Sequence, residues 1–268
     1  MNIPDDAEET LQAELRRIAA SDHLLVALDF DGTLAPLQDV PLDARMLPEA
    51  ASAVDALVGE PGVSVAFVSG RSLVDLRHIA EHRDDSPIFL AGSHGAEYWI
   101  PGEGPLEPSE DEGEIALRDE LRAHAESIVS KYDNVWIEPK TFGFAVHTRL
   151  TDAATAARAD AEVDDLVAAE APSWRRRTGR NIVEYAFRDE GKDTAVRKLR
   201  ELTHADAVLY AGDDVTDEDA LGSLGPGDLG ILVGDRPSAA RVRVPDIPAM
   251  ARALASLARL RSDERGAA

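Results

Sequence analysis

Cysteine is absent from the 268 residues. That excludes a disulfide framework, a thiolate zinc site and a thiol nucleophile. Lysine is scarce and stands only at 131, 140, 192 and 198. No apolar run approaches the roughly 18 residues of a membrane-spanning helix. The opening stretch MNIPDDAEETLQAELRR has neither the basic start nor the apolar core of a secretory signal, so a cytoplasmic protein is expected. Positive charge is in deficit: 51 acidic against 28 basic residues leave a net charge of -23. A polyanionic partner such as nucleic acid would be repelled. Nothing in the pattern points to a membrane or to an obligate protein partner.

What is present supports a folded, two-part chain. Hydrophobic residues make up 44%, enough for a core, and the length suits one large domain or two smaller ones. Acidity with so few lysines matches proteins that work at high salt, where charge repulsion is screened; an ordinary acidic mesophilic protein is the alternative. Residues 6–20 carry apolar positions at helical spacing, Leu11, Leu15, Ile18 and Ala19. Apolar strands are expected at 24–29, 63–70 and 87–92, with helices at 47–58 and 72–81 between them. This alternation predicts an α/β fold, a doubly wound, Rossmann-like parallel sheet. A Pro-, Gly- and acid-rich stretch, PGEGPLEPSEDEGE (101–114), reads as a linker. Beyond it the order becomes αββαββ, the pattern of a helix-backed antiparallel sheet. From Gly191 the α/β alternation resumes, with strands at 207–212 and 229–234. The expected organisation is a core over 1–102 and 189–268, interrupted by an α+β cap at 103–188.

In open parallel sheets ligands bind beyond the carboxyl ends of the strands. Four expected core strands end there in polar signals: Asp29-Phe30-Asp31-Gly32-Thr33, Ser69-Gly70-Arg71, Gly92-Ser93-His94-Gly95 and Gly212-Asp213-Asp214. Converging carboxylates with no sulfur or clustered imidazole suit Mg²⁺, a hard cation commonly bound together with phosphate. The parts fit phosphoryl transfer. Asp29 is placed to attack phosphorus, and Asp31 to protonate the leaving oxygen and then deprotonate water. Ser69 can hydrogen-bond the phosphoryl group, with Gly32 and Thr33 beside it, and Lys192 can neutralise its developing charge. Asp29, Asp31, Asp213, Asp214 and Asp217 are the candidate metal ligands. Each piece also has a plainer reading. Asp-x-Asp-Gly is a common turn, Gly191-Lys192 an ordinary helix start, and GDDVTDEDA (212–220) an acidic helix N-terminus. The last fails the calcium-loop template, since Val215 holds its third position. No P-loop pattern occurs.

In the order DFDGTL, SGR, GK and GDDVTDED, these motifs resemble those of the haloacid dehalogenase superfamily of phosphotransferases. The insertion between the second and third motifs resembles its class with an α/β lid. Together DFDGTLAPLQDVPLDA, GSHGAEYW, EPKTFGFAVHTR, GRNIVE and GDDVTDEDA are similar to the trehalose-6-phosphate phosphatase family. The resemblance implies an Mg²⁺-dependent hydrolase that passes through an aspartyl-phosphate, with a lid that reads the disaccharide. By the same resemblance Lys140, His147, Arg180 and Glu184 of the cap, with Arg71, His94 and Glu97 of the core rim, are substrate-binding candidates. The chain departs from the family's usual pattern at Asp193 and Thr148 and lacks a Pro after Glu184. Trehalose, an osmolyte, would suit a salt-stressed organism.

Alternatives stay open at this point. A sucrose-phosphate or mannosyl-phosphoglycerate phosphatase would share the core motifs and differ in the cap. A non-catalytic Mg²⁺- or sugar-binding module would not need Asp29, Asp31, Ser69, Lys192 and Asp213 together. A glycosidase also uses two carboxylates, but about 5 Å or more apart across a glycosidic bond, and has no use for the Lys192–Asp213 pair. Singly, His147 on a strand or Lys140 near a turn is more often structural. Arg175–Arg177 reads as a solvated or ion-paired strand, and Trp99, Trp136 and Trp174 as packing.

Overall fold

A computed structural model describes residues 5–106, 112–179 and 181–266. The chain divides into two units, one formed by Met1–Glu107 with Glu190–Ala268 and the other by Pro108–Asp189.

The first unit opens with helix α1 (Asp5–Ala19), whose Leu11, Leu15, Ile18 and Ala19 are all buried. Strand β1 (Leu24–Leu28), helix α2 (Pro48–Val58), strand β2 (Val63–Val68), helix α3 (Leu73–Ile79) and strand β3 (Phe89–Gly92) alternate after it. Ser72 caps α3, its hydroxyl accepting from Asp75 N at 3.1 Å. Two short antiparallel strands follow, β4 (Glu97–Ile100) and β5 (Gly104–Leu106). Part of the stretch expected to be linker, residues 104–106, is therefore the last strand of the core sheet. Three residues with a Gly and a Pro carry no readable alternation, and only pairing with β4 makes them a strand.

The second unit contains α4 (Glu112–Val129), β6 (Trp136–Lys140), β7 (Gly143–His147), α5 (Ala153–Glu170), β8 (Arg175–Gly179) and β9 (Ile182–Ala186). Its sheet runs β6-β7-β9-β8, antiparallel throughout. Side chains alternate between the faces of a strand. Phe144, Val146, Val183 and Tyr185 face α4 and α5, where Leu121, Ala125, Ala159 and Val163 complete an apolar core. The opposite face takes the other register set: Trp136, Glu138, Lys140, His147, Glu184, Arg175 and Arg177.

The chain returns to the first unit with α6 (Lys192–Thr203), β10 (Ala207–Gly212), α7 (Glu218–Ser223), β11 (Leu229–Val233), β12 (Val242–Val244) and α8 (Ile247–Gly266). The core sheet has the order β12-β11-β10-β1-β2-β3-β4-β5, parallel from β12 to β3. Leu24, Val26 and Leu28 of β1 pack with α1, α2, α3 and α8 on one face; Leu25 and Ala27 pack with α6 and α7 on the other. Burial on both faces is why β1 is an unbroken apolar run. From β1 the chain winds outward through β2 and β3, and later outward the other way through β10, β11 and β12. The β1–β10 boundary is thus a topological switch point, where such sheets bind ligands. Among the described residues no helix is long and apolar enough to cross a membrane.

Candidate active site

The site grows from the ends of β1 and β10, which stop together because Leu28 pairs with Ala211. Asp29 continues the ladder by one bond, its N–H donating to Ala211 O at 2.9 Å. The chain then turns: Leu34 N and Ala35 N both donate to Phe30 O at 3.0 Å, and Gly32 N donates to Ala35 O at 2.8 Å. Gly32 takes φ +81°, and a Cβ there would lie 2.1 Å from Oδ2 of Asp213. Glycine is needed twice over, for the left-handed backbone and for the close approach of a carboxylate.

Lys192 opens α6 and reaches back with a side chain that is 3% exposed. Its Nζ donates to Asp29 Oδ1 at 2.6 Å and to Asp217 Oδ1 at 2.7 Å. Asp217 is fully buried. It also accepts from Tyr210 Oη at 2.6 Å and, on Oδ2, from the backbone N–H of Asp213 (3.0 Å) and Asp214 (2.9 Å).

Burial, with Asp217 and Asp213 close by, raises the Asp29 pKa well above the ordinary carboxyl value against the opposing pull of Lys192. Burial and Asp217 push Asp213 up to about 7. Asp217 is held low: burial works against its ionised form, but Lys192 and four hydrogen bonds outweigh it. Burial lowers the Lys192 pKa, but Asp217 and Asp29 outweigh it and raise the value overall. One lysine therefore balances three clustered carboxylates, an arrangement still short of positive charge.

That shortage, and the donor chemistry, fit a divalent cation. One oxygen each of Asp29, Asp213 and Asp217 lies within 4.8 Å of the others. All three are hard oxygen donors, as Mg²⁺ prefers. Asp217 has all its acceptor positions taken, so Asp29 and Asp213 have the room. The described residues do not bring the side chains of Asp31 or Asp214 into this group.

The carboxylate of Asp31 instead meets Arg71. Arg71 Nε donates to Oδ2 at 2.6 Å and Nη2 to Oδ1 at 2.8 Å, a bidentate pair of the strong, directional kind. Ser69 follows directly on β2, buried, its N–H on Ala91 O and its Oγ accepting from Arg71 N at 3.1 Å. Thr33 is fully buried, and its Oγ1 has no hydrogen-bond partner among the described residues. A buried hydroxyl left unpaired is costly. His94 is buried in a left-handed conformation (φ 58°) beside Ser93 (φ 46°), its N–H on Ser69 O at 2.9 Å. Glu97 serves this turn: its Oε2 accepts from Ser93 Oγ (2.5 Å) and from Leu73 N (3.2 Å), bracing the start of α3.

The second unit holds its own polar cluster. Glu138 accepts from Lys140 Nζ at 2.8 Å on one oxygen and lies 2.5 Å from His147 Nε2 on the other. Burial opposes ionisation of Glu138, yet His147 and Lys140 hold its pKa at about 2. The His147 ring stacks on Trp136, centroids 4.8 Å apart and planes 3° from parallel. Glu184 lies 3.8 Å from Arg177, both largely buried. Arg180 lies outside the described residues. Glu138, Trp136, Arg177 and Tyr210 were not singled out as site residues. A period-two reading of EPK would have put Glu138 on the face of Lys140. Nothing in AVLYAG distinguishes Tyr210 from core.

One consequence concerns Gly32. Gly32→Ala is expected to destabilise the core unit by at least about 1–2 kcal/mol, the cost of a left-handed alanine, with displacement of Asp213 added. Urea denaturation of the two proteins measures this; an unchanged midpoint would show that Asp213 does not need the glycine.

The trehalose-phosphatase family model matches residues 27–243. A trehalose-phosphate phosphatase of Mycobacterium tuberculosis is 31% identical over 227 residues, which is 80% of this chain and 56% of that protein. Another protein of the same organism, described as an uncharacterized glycosyl hydrolase, is 32% identical over 260 residues, 90% of this chain and 18% of its own length. The chain thus spans only part of the curated relatives it matches. In structure it resembles the C-terminal domain of the Candida albicans trehalose-6-phosphate phosphatase, with a TM-score of 0.80 at 18% identity, covering 93% of this chain and 96% of that one. With the family's model matching from β1 through β12, the chain belongs to the trehalose-phosphatase family.

Proposed function

We propose that this protein is a phosphatase that removes phosphate from trehalose 6-phosphate, dependent on Mg²⁺ and working through an aspartyl-phosphate. The observation that carries the chemistry is the buried Asp29–Lys192–Asp217 chain at the sheet's switch point, with Asp213 set against Gly32. Family membership supports the substrate.

The residues divide the work. An oxygen of Asp29 attacks phosphorus and the bond to the sugar oxygen breaks; Asp31 gives that oxygen its proton. Asp31 then takes a proton from water, which attacks the acyl-phosphate, releases phosphate and regenerates Asp29. Both Asp31 oxygens lie on Arg71, so one must leave the fork for proton transfer. Lys192, Ser69 and the Thr33 hydroxyl face the phosphoryl oxygens as charge or hydrogen-bond donors. Asp29 and Asp213 would hold Mg²⁺, which would supply further positive charge at the transferring group. On the second unit, Lys140, His147 and Glu184 are the groups proposed to hold sugar hydroxyls, with Arg180 as a fourth, and Glu138 fixes two of them. Directional polar donors and acceptors of this kind suit a polyhydroxylated ligand.

Phosphate release from a panel of sugar phosphates, with Mg²⁺ and with a chelator, is the test. Trehalose 6-phosphate should be the best substrate by a wide margin, and chelation should abolish turnover reversibly. A different preferred sugar phosphate would overturn the substrate; turnover indifferent to chelation would overturn the metal.

A further inference from the structure

Tyr210 stands in the middle of β10, in the apolar run AVLYAG, and is fully buried between the sheet and α6 and α7. Its ring belongs to the packed core; its hydroxyl does not serve packing. That hydroxyl donates to Asp217 Oδ1 at 2.6 Å, the same oxygen that accepts Lys192 Nζ at 2.7 Å. A carboxylate offers about four acceptor positions. Those of Asp217 are filled by Lys192 Nζ and Tyr210 Oη on one oxygen, and by the N–H groups of Asp213 and Asp214 on the other.

A saturated carboxylate has no position left for substrate, so Asp217 acts through its partners. Three of its four donors belong to groups that themselves face the reaction: Lys192, and the backbone at Asp213 and Asp214. Tyr210 alone is anchored away from it, in a strand hydrogen-bonded on both sides to β1 and β11. Gly212 allows the close fit, because a Cβ there would lie 2.1 Å from the Asp217 carboxyl carbon. A rigid donor thus fixes the oxygen that, in turn, fixes the Lys192 ammonium 2.6 Å from Asp29.

Resting on the phosphatase reading above, we propose that Tyr210 is a positioning residue for the reaction: it holds Asp217 so that Lys192 stays aimed at Asp29 and the phosphoryl group. A hydroxyl needed only to fill the core would affect melting rather than turnover. Misplaced charge at a transition state costs rate without weakening binding of the sugar.

The test is Tyr210→Phe in the full chain, which keeps the ring and its packing. With the sugar phosphate that wild type hydrolyses fastest, kcat should fall about ten- to hundredfold, the scale of one hydrogen bond to a charged group. KM should stay within about twofold, since the misaimed Lys192 weakens the transition state rather than sugar binding, and the melting temperature should fall by only a few degrees. Wild-type kcat, a loss carried by KM, or a variant that melts far below wild type would each overturn the proposal. A wrong sugar shows up separately in the wild-type panel. Wild type inactive on every sugar phosphate would remove the phosphatase reading and this inference with it.

Discussion

Asp29→Asn should abolish phosphate release from trehalose 6-phosphate while leaving the fold as stable as wild type or more so. An enzyme that loses its nucleophile falls by about ten-thousandfold or more in kcat. Stability should go the other way because of what surrounds Asp29. It is buried, and Asp213 and Asp217 both raise its pKa. An amide has the same shape, can still accept from Lys192 through its oxygen, and adds an N–H₂ where two carboxylates lie close. The substitution removes a carboxyl whose ionisation the site opposes and keeps one of its strongest contacts. Sites built for chemistry commonly give up stability in this way. Steady-state kinetics with Mg²⁺ and thermal melts without it are the two measurements. Turnover within tenfold of wild type would remove Asp29 as nucleophile. A large drop in melting temperature would mean that its charge stabilises the metal-free fold, contrary to the electrostatics of the cluster.

How much of this was legible in the amino-acid order depends on the range of each interaction. The parallel core could be read because β1, β2, β10 and β11 are apolar runs bounded by polar residues, a local signal. Short strands at the sheet edges escaped: β5 and β12 have three residues each, too few for a pattern. The core candidates Asp29, Asp31, Ser69, Lys192 and Asp213 could be found because they stand just past a strand or at a helix start, while those of the cap came from the family resemblance. Their partnerships could not be found. Arg71 and Asp31 are 40 positions apart, Lys192 and Asp29 163 apart. Such pairs exist only once the sheet aligns its strand ends. Glu97 shows the opposite limit. The family resemblance makes it a candidate ligand for sugar, and its Oε2 also accepts from Ser93 and from the backbone at the start of α3. A carboxylate that shapes a turn and one that meets a substrate look identical in one dimension.

Lys192→Met should lose activity and stability together, which separates it from Asp29→Asn. Methionine is close to lysine in length and fills the same buried space, so the change isolates the charge. Without the ammonium, Asp29 and Asp217 lose hydrogen bonds of 2.6 and 2.7 Å and three carboxylates remain clustered with no cation. Breaking a buried ion pair from one side typically costs about 3–5 kcal/mol. The pH dependence has a definite sign. Lys192 is the main opponent of burial in holding the Asp217 pKa below its ordinary value of 3.8. Once it is gone, folded-state carboxyl pKa values lie above unfolded ones. Such groups destabilise the fold increasingly as pH rises from the unfolded value through the folded one. The gap between variant and wild type should therefore be wide at pH 8 and narrow toward pH 5, where the carboxyls take up protons instead. Mg²⁺ should recover part of the lost stability at pH 8, since a cation again faces the carboxylates. It should not restore turnover, because the donor to the phosphoryl oxygens is still missing, a loss of about a hundredfold or more. Melts across pH with and without Mg²⁺, beside kinetics at pH 8, follow all three effects. A Lys192→Met protein as stable as wild type at pH 8 without metal would show that the carboxylates share protons among themselves and that the lysine is not their counter-charge.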